Sequence, residues 1–160
     1  MNKFRIKGTK QETGLRELIA RAPKGLVVEL GSAYGESAVL FAETHDVVCI
    51  DVWNGVTADR EKEFDLLTKP FKNIRKIKGN SITSAELFED ASIDGLYIDS
   101  NHIYDHCIQE INAWLPKIKK GGFISGHDYT YKFIGVIQAV HEKFDRPDYT
   151  FPDGSWLKLL

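Results

Sequence analysis

The sequence predicts an α/β protein with a doubly wound, mostly parallel sheet and helices on both of its faces, in three layers. Short, continuous apolar runs alternate along the chain with longer segments whose apolar residues recur at helical spacing. Continuous apolar runs are typical of strands that are buried on both faces of a parallel sheet. Three of these runs end in an aspartate, and the first is followed by Gly31 and Gly35, which indicate a sharp strand-to-helix turn.

Length and charge restrict the functions that the chain can have. Its 160 residues are enough for a sizeable core and predict a single domain over residues 1–160. With 21 basic and 23 acidic residues, the chain offers no basic surface for nucleic acid or for an anionic membrane. We expect a cytoplasmic protein, because neither a signal-peptide pattern nor a membrane-spanning apolar run is found. Cys49 and Cys107 are expected to be reduced, buried packing residues.

The N-terminal half predicts helices and strands in strict alternation. The apolar faces and runs place helices over residues 13–22, 35–43 and 59–68, and strands over residues 26–30, 47–51 and 74–78. A loop is predicted over residues 52–58. Because the third strand, I-R-K-I-K, is rich in cationic side chains, we expect it at an exposed edge of the sheet.

The C-terminal half continues the same alternation. It predicts helices over residues 83–89, 104–119 and 132–144, and strands over residues 94–99 and 123–128. The helix over 104–119 has the clearest apolar face; Pro116 is expected to kink or tighten its last turns, and Gly121 and Gly122 to end it. Two short β-like pieces in the tail, residues 149–160, flank Pro152–Gly154 and predict an antiparallel hairpin.

The glycine turn after the first strand predicts a ligand cradle. Its spacing, Gly31-x-x-x-Gly35, matches neither the phosphate-wrapping loop of nucleotide hydrolases nor the G-x-G-x-x-G dinucleotide fingerprint. Glu29 stands two residues before the first glycine, and its carboxylate would repel a pyrophosphate but attract an ammonium group. The turn therefore favours S-adenosylmethionine over NAD.

Asp51 lies at the end of the second strand, 20 residues after Gly31. In a doubly wound sheet the second strand lies beside the first, so this carboxylate can accept hydrogen bonds from both ribose hydroxyls of a nucleoside. The same arrangement serves NAD equally well. Asp51 therefore indicates an adenosine cofactor without deciding which one.

The segment E-L-G-S-A-Y-G over residues 29–35 resembles the E-x-G-x-x-x-G first motif of Rossmann-like S-adenosylmethionine-dependent methyltransferases. The resemblance implies a Rossmann-like fold and a cofactor held by the motif residues together with Asp51 and Asp99. It also extends to Gly79-Asn80-Ser81, which is similar to the loop that borders the adenine in this class. The motif residues implied to bind the cofactor are Glu29, Gly31, Ser32, Ala33, Tyr34 and Gly35, and the loop adds Asn80 and Ser81.

Acidic side chains follow the fourth and fifth strands, which are neighbours in the usual doubly wound order. Asp99 and Asp128 are therefore expected to face one another across the carboxyl edge of the sheet. Two such close carboxylates repel unless a cation lies between them, and Mg²⁺ is suited to that position. His102 follows Asp99 by three residues and could take a proton from a substrate hydroxyl near neutral pH.

Three further segments resemble macrocin-type small-molecule O-methyltransferases: Y-I-D-S-N-H-x-Y over 97–104, W-L-P-K-I-K-K-G-G-F over 114–123 and G-H-D-Y over 126–129. Members of that family are metal-dependent enzymes that methylate sugar or polyketide-linked hydroxyls. The resemblance implies that Asp99 and His102 supply a metal ligand and a base, and that Asp128 is a second ligand. The family places two adjacent polar ligands after the fifth strand, whereas here Asp128 is flanked by His127 and Tyr129.

The sequence leaves several alternatives open. Asp128 could instead cap the last helix, and His102 could bond only to backbone at the start of a helix. The chain could be an NAD-dependent oxidoreductase or a non-catalytic S-adenosylmethionine-binding module. Acceptor choice could depend on residues 52–64, on residues 129–135 or on a second subunit of a homo-oligomer. Surface or packing roles are expected for His45, His106 and His141.

Overall fold

The computed structural model describes residues 4–54 and 58–160. Its strands are β1 (Leu26–Leu30), β2 (Asp46–Asp51), β3 (Ile74–Lys78), β4 (Ile93–Ile98), β5 (Ile118–Gly126), β6 (Tyr149–Thr150) and β7 (Trp156–Leu159). Its α-helices are α1 (Lys10–Arg21), α2 (Glu36–Ala42), α3 (Ala58–Thr68), α4 (Tyr104–Trp114) and α5 (Ile134–Phe144). Short 3₁₀ helices cover Thr83–Leu87, Leu115–Lys117 and Tyr131–Phe133.

The seven strands form one sheet in the order β3-β2-β1-β4-β5-β7-β6. The first five are parallel, whereas β7 runs antiparallel to β5 and to β6. The strand order reverses between β1 and β4, and in such sheets ligands bind outside the carboxyl ends of the strands at that point. The predicted doubly wound sheet and C-terminal hairpin are both confirmed.

Two apolar cores cover the two faces of the sheet, because neighbouring residues of each central strand point to opposite sides. In β2, for example, Val47 belongs to the core beneath α1, α2 and α3, and Val48 to the core beneath α4 and α5. Phe41 on one side and Trp114 on the other are completely buried. Burial of each such side chain contributes roughly 2–3 kcal/mol, so both helical layers are held firmly against the strands.

The helix predicted over 104–119 is shorter than expected. It ends at Trp114, passes through a 3₁₀ turn that contains Pro116, and gives way to β5 at Ile118. Proline has no N–H to donate, so it cannot continue the α-helical hydrogen bonding. Ile118, which has helical spacing in the sequence, pairs instead with Ile93 of β4. The glycines at 121 and 122 lie within this strand and do not end a helix.

Other element boundaries differ by a few residues. α1 begins at Lys10 rather than at residue 13, because the Thr9 side chain accepts the Glu12 N–H at its start. The segment predicted as a helix over 83–89 is a 3₁₀ helix, and α5 begins at Ile134 after a separate 3₁₀ turn. β5 ends at Gly126, two residues short of the prediction. Residues 55–57 of the predicted loop over 52–58 lie outside the described residues.

No helix in the described ranges combines the length and the apolar composition needed to cross a bilayer.

Candidate active site

A cleft of about 610 Å³ lies over the carboxyl ends of β1, β2 and β4. Six of the residues implied to bind the cofactor line it, whereas Glu29, Ser32, Tyr34 and Gly35 do not. Those six are Gly31, Ala33, Asp51, Asn80, Ser81 and Asp99. The cleft is therefore built at the edge of the sheet that the strand order predicts.

Gly31 permits the close approach of two chain segments beneath the cleft. Its φ of 87° lies in the left-handed region, and a Cβ at this position would overlap the carbonyl oxygen of Asp99. Hydrogen bonds from Gly31 N to Ile50 O and from Asp99 N to Leu30 O, both 2.8 Å, join the three strand ends. Gly35, by contrast, lets α2 pack against Phe64 of α3 and serves the helix layer.

Glu29 lies beneath the glycine turn and is fully buried. Burial raises the pKa of its carboxyl group, and the hydrogen bond from Ser37 opposes that rise. Its Oε2 has no hydrogen-bond partner among the described residues. Because Glu29 does not line the cleft, any attraction for an ammonium group acts from below the turn and not through direct contact.

Asp51 joins the glycine turn to the end of β2. Its Oδ2 accepts the Ala33 N–H and its Oδ1 accepts the Trp53 N–H, each at 2.9 Å. The Trp53 indole in turn donates to the Ala33 carbonyl at 2.8 Å. Each carboxylate oxygen keeps a further lone pair, so Asp51 can hold this loop and still accept a ribose hydroxyl in the cleft.

Asp99, which lines the cleft, forms a cluster with His102 and Asp128, which do not line it. One potential ligand atom from each lies within 4.8 Å of the other two. Asp99 directly follows β4, and the hydrogen bond from His127 N to Ile98 O, 3.0 Å, holds the end of β5 beside it. Asp128 adopts a φ of 59°, a left-handed conformation that aspartate tolerates better than most residues. The predicted juxtaposition of the strand-end carboxylates is confirmed.

His102 is held in a fixed orientation near Asp99. Its ring stacks on Phe133, with centroids 4.2 Å apart, and its Nε2 lies 2.6 Å from Asp128 Oδ2. The angle between the two groups is not that of a hydrogen bond, but the distance is that of an ion pair. A nitrogen and a carboxylate oxygen that face each other in this way are suited to share a proton.

The charges around Asp99 are incompletely balanced. Burial raises the pKa of Asp99 to about 7, and Asp128 adds to this effect while His127 opposes it. Burial lowers the pKa of His127, but its hydrogen bond to Asp128 and the nearby charges of Asp99 and Asp153 outweigh burial and raise that pKa to about 8. The carboxylates of Asp99, Asp128 and Asp153 are therefore compensated by the His127 imidazole, and Asp128 also by that of His102.

The donor set fits a divalent cation. Asp99 is buried and its pKa is raised to about 7, with the Asp128 charge adding to that rise, so a positive charge beside the two carboxylates would be stabilised. Two carboxylate oxygens suit Mg²⁺, whereas participation of the imidazole as a third ligand would favour a transition metal. Asp99, His102 and Asp128 are the residues that would hold such an ion.

The structure adds site residues that the sequence does not single out. His106, expected at the surface or in packing, lines the cleft together with Asn54, Arg60 and Asn101. Asp153, in the turn of the C-terminal hairpin, lies 3.7 Å from His127 Nε2. All of these residues stand on loops or first helical turns near strand ends, and only the strand order reveals which of them meet.

Comparison with known proteins identifies the family. The chain matches a family model described as a methyltransferase domain over residues 28–129, a range that contains the glycine turn, Asp51 and the Asp99–His102–Asp128 cluster. No curated protein matches the sequence.

Solved structures of methyltransferases share the fold. The O-methyltransferase NovP aligns with a TM-score of 0.70 at 17% identity, over 95% of this chain and 80% of its own. CalS11, a TDP-rhamnose 3'-O-methyltransferase of calicheamicin biosynthesis, aligns at 0.63 and 16% identity, over 93% and 76%. Phosphoethanolamine N-methyltransferase 1 of Haemonchus contortus, solved with phosphoethanolamine and S-adenosylhomocysteine, aligns at 0.63 and 14% identity, over 83% and 28%.

At these identities the structural likeness shows the fold alone. The family model matches more than half of the chain and therefore shows the family. The predicted assignment to class I, Rossmann-like S-adenosylmethionine-dependent methyltransferases is confirmed, and the chain belongs to the methyltransferase domain family.

Proposed function

We propose that this protein transfers a methyl group from S-adenosylmethionine to a hydroxyl of a small molecule, such as a sugar, a polyketide-linked group or a catechol-like ring. One observation carries the proposal: Asp99 lines the cleft and also forms a cluster with His102 and Asp128. A base and a cation site beside a cofactor cleft are what deprotonation of a hydroxyl requires.

The cleft is suited to S-adenosylmethionine in size and in chemistry. Its volume falls within the usual range of small-molecule sites, roughly 300–1,000 Å³. S-Adenosylmethionine supplies an electrophilic methyl group on a sulfonium: the acceptor oxygen would form a bond to the methyl carbon while the C–S bond breaks and S-adenosylhomocysteine leaves with the electron pair. Asp51 would accept the ribose hydroxyls, and the Gly31 turn would let the cofactor approach the backbone. The related N-methyltransferase that binds S-adenosylhomocysteine supports this cofactor.

The cluster of Asp99, His102 and Asp128 would prepare the acceptor. A divalent cation held by Asp99 and Asp128 would lower the pKa of an acceptor hydroxyl when bound. His102 would then receive the proton at Nε2, which lies 2.6 Å from the Asp128 carboxylate. Phe133 holds the ring in place and shields one of its faces from water.

The family match and the absence of a G-x-G-x-x-G fingerprint favour methyl transfer over the NAD-dependent alternative. Two measurements distinguish an enzyme from a non-catalytic S-adenosylmethionine-binding module. Purified protein should bind S-adenosylhomocysteine in isothermal titration and should transfer labelled methyl groups from S-adenosylmethionine to a member of a panel of sugars, catechols and polyols. Binding without any product would favour the module, and no binding at millimolar ligand would reject the cofactor.

The role of the cluster is tested by Asp128→Asn. We expect turnover to fall by about 100-fold, with S-adenosylhomocysteine binding almost unchanged, because the carboxylate acts on the acceptor and not on the nucleoside. A chelator should reduce wild-type turnover similarly. Asp90→Asn is the matched control, since Asp90 is an exposed aspartate paired with Lys117. Full activity of Asp128→Asn would remove the metal from the mechanism.

A further inference from the structure

One face of α4 is joined to two of the segments that line the cleft. His106, Glu110 and Trp114 stand four residues apart in this helix, so their side chains lie on the same face. Trp114 Nε1 donates to the Ser81 carbonyl at 2.6 Å, and His106 Nε2 lies 3.3 Å from Ser81 Oγ. Glu110 Oε1 accepts the Ser100 hydroxyl at 2.5 Å. α4 therefore holds the loop after β3 and the loop after β4 at the same time.

Glu110 is the central residue of this face and is completely buried. Besides accepting from Ser100, its Oε1 lies 3.1 Å from His106 Nε2. Its Oε2 has no hydrogen-bond partner among the described residues. A buried carboxylate is costly unless donors compensate it, and an apolar side chain of similar volume would fill the same space at lower cost. The carboxylate is therefore explained by the two residues that it holds, and not by packing.

Ser100 is held by two contacts. A Cβ at Gly31 would come within 2.7 Å of Ser100 Cα, so the glycine turn packs directly against the backbone of this residue. The second contact is the hydrogen bond from its hydroxyl to Glu110. Ser100 directly follows Asp99, and both residues line the cleft. A shift of Ser100 would therefore move the end of β4 against the glycine turn and change the shape of the cleft.

We propose that Glu110 is a positioning residue for the cleft, which raises the affinity for S-adenosylmethionine through Ser100 and His106 without touching the cofactor. The proposal rests on the proposed function, because it requires this cofactor in the cleft. Glu110 does not line the cleft, whereas Ser81, Ser100 and His106 do. A cleft whose walls are fixed before binding loses less conformational entropy when the cofactor enters, and so binds it more tightly.

The test measures the Kd of S-adenosylhomocysteine by isothermal titration for variants of Glu110. Glu110→Leu, which fills the site but accepts no hydrogen bond, should weaken binding on the order of tenfold, because both contacts are lost. Glu110→Gln keeps a carbonyl oxygen as an acceptor for the Ser100 hydroxyl and should stay within about threefold of the wild type. Rescue by glutamine would separate the effect of the hydrogen bonds from that of side-chain size.

A second substitution, Ser100→Ala, tests whether Glu110 acts through Ser100. In the wild type it should weaken binding about threefold, and in the Glu110→Leu background it should have almost no further effect, since the hydrogen bond is already lost. Equal costs in the two backgrounds would overturn the positioning role. Should Glu110→Leu not fold, Ser100→Ala alone decides: a weaker affinity supports the proposal, and an unchanged affinity overturns it.

Ser125→Ala is the matched control. Ser125 is a completely buried serine of β5 whose hydroxyl donates to the Leu96 carbonyl at 2.8 Å, and it does not line the cleft. This variant should lower the midpoint of urea unfolding without weakening S-adenosylhomocysteine binding. If Glu110→Leu weakened binding no more than Ser125→Ala does, Glu110 would have a structural role only. Failure of the wild type to bind S-adenosylhomocysteine would instead overturn the proposed function.

Discussion

Left-handed backbone conformations occur at several residues that follow the strand ends, in or near the cleft. Among the described residues, the non-glycine positions with positive φ include Ala33, Trp53 and Asp128, and Gly31 lies beside them. Each such conformation costs roughly 1–2 kcal/mol for a residue with a Cβ. The Asp51 carboxylate accepts the backbone N–H of both Ala33 and Trp53, which offsets that cost and holds the loop in a shape open to a ligand.

Replacement of Gly31 by alanine should separate steric overlap from backbone strain. A Cβ at residue 31 would overlap the Asp99 carbonyl, whereas at Gly121, with a similar φ of 82°, it would meet no atom within 4 Å. We expect Gly121→Ala to lower the free energy of unfolding by about 1 kcal/mol. Gly31→Ala should lower it by roughly 2 kcal/mol more and weaken S-adenosylhomocysteine binding. Equal stability of the two variants in urea unfolding would contradict the overlap.

At the scale of elements, the start of β1 is joined to β4 and β5 through one carboxylate. Asp94 accepts the Leu26 N–H at 2.8 Å and the Lys119 ammonium at 2.9 Å. Burial alone would raise the pKa of Asp94, but these two hydrogen bonds and the lysine charge outweigh burial and lower it. This end of the sheet is opposite the cleft, so a substitution of Asp94 tests strand pairing without disturbing the site.

The stabilisation by Asp94 should depend on pH in one direction. A group whose pKa is lowered by folding stabilises the protein above its unfolded pKa, and this stabilisation is lost as the pH falls through the folded pKa. Asp94→Asn, which keeps an acceptor for Leu26 but loses the charge, should therefore cost roughly 1 kcal/mol at pH 7. The difference from wild type should shrink below about pH 4 in urea unfolding. A difference that grows on acidification would contradict this account.

Strands were predictable and some helix ends were not, for physical reasons. The apolar runs at 26–30, 47–51 and 94–99 match strands within a residue or two, because burial on both faces requires continuous apolar residues. The helix predicted over 104–119 is too long because Ile118 fits both the helical repeat and the start of β5. The sequence also could not show that Glu29 lies outside the cleft, because a strand buried on both faces gives no sign of which residues reach it.

At the scale of the whole molecule, the C-terminal hairpin connects the sheet edge, the N-terminal helix and the cluster of Asp99, His102 and Asp128. Asp153, in the turn between β6 and β7, accepts from Ser155 and lies against Gly14 of α1, where a Cβ would overlap its carboxylate. The same carboxylate approaches His127, the neighbour of Asp128. The meeting of strands β4 and β5 explains why Asp99 and Asp128 were predictable as a pair, whereas Asp153 depends on the antiparallel addition of β7.

This connection predicts how His127 titrates in the metal-free protein. The pKa of His127 is about 8, above its ordinary value of 6.5, in part because of the Asp153 charge. A raised pKa means that the stabilisation is fully present below pH 6.5 and is lost as the pH rises through about 8. Asp153→Asn should therefore move the His127 titration, followed by NMR of the ring protons, towards 6.5, and should destabilise the fold more at pH 6 than at pH 9.

Asp148→Asn provides the comparison within the same hairpin, because Asp148 pairs with Lys158 and has no contact with His127 among the described residues. Its effect on the His127 titration should be negligible, even if β6 and β7 are weakened by loss of the ion pair. If both variants shifted the titration equally, the hairpin would act on His127 through general loosening of the fold. A shift confined to Asp153→Asn would establish that a charge from the C-terminal turn adds to those of Asp128 and Asp99 in raising the pKa of His127, and so links the last strands of the chain to the residue beside Asp128.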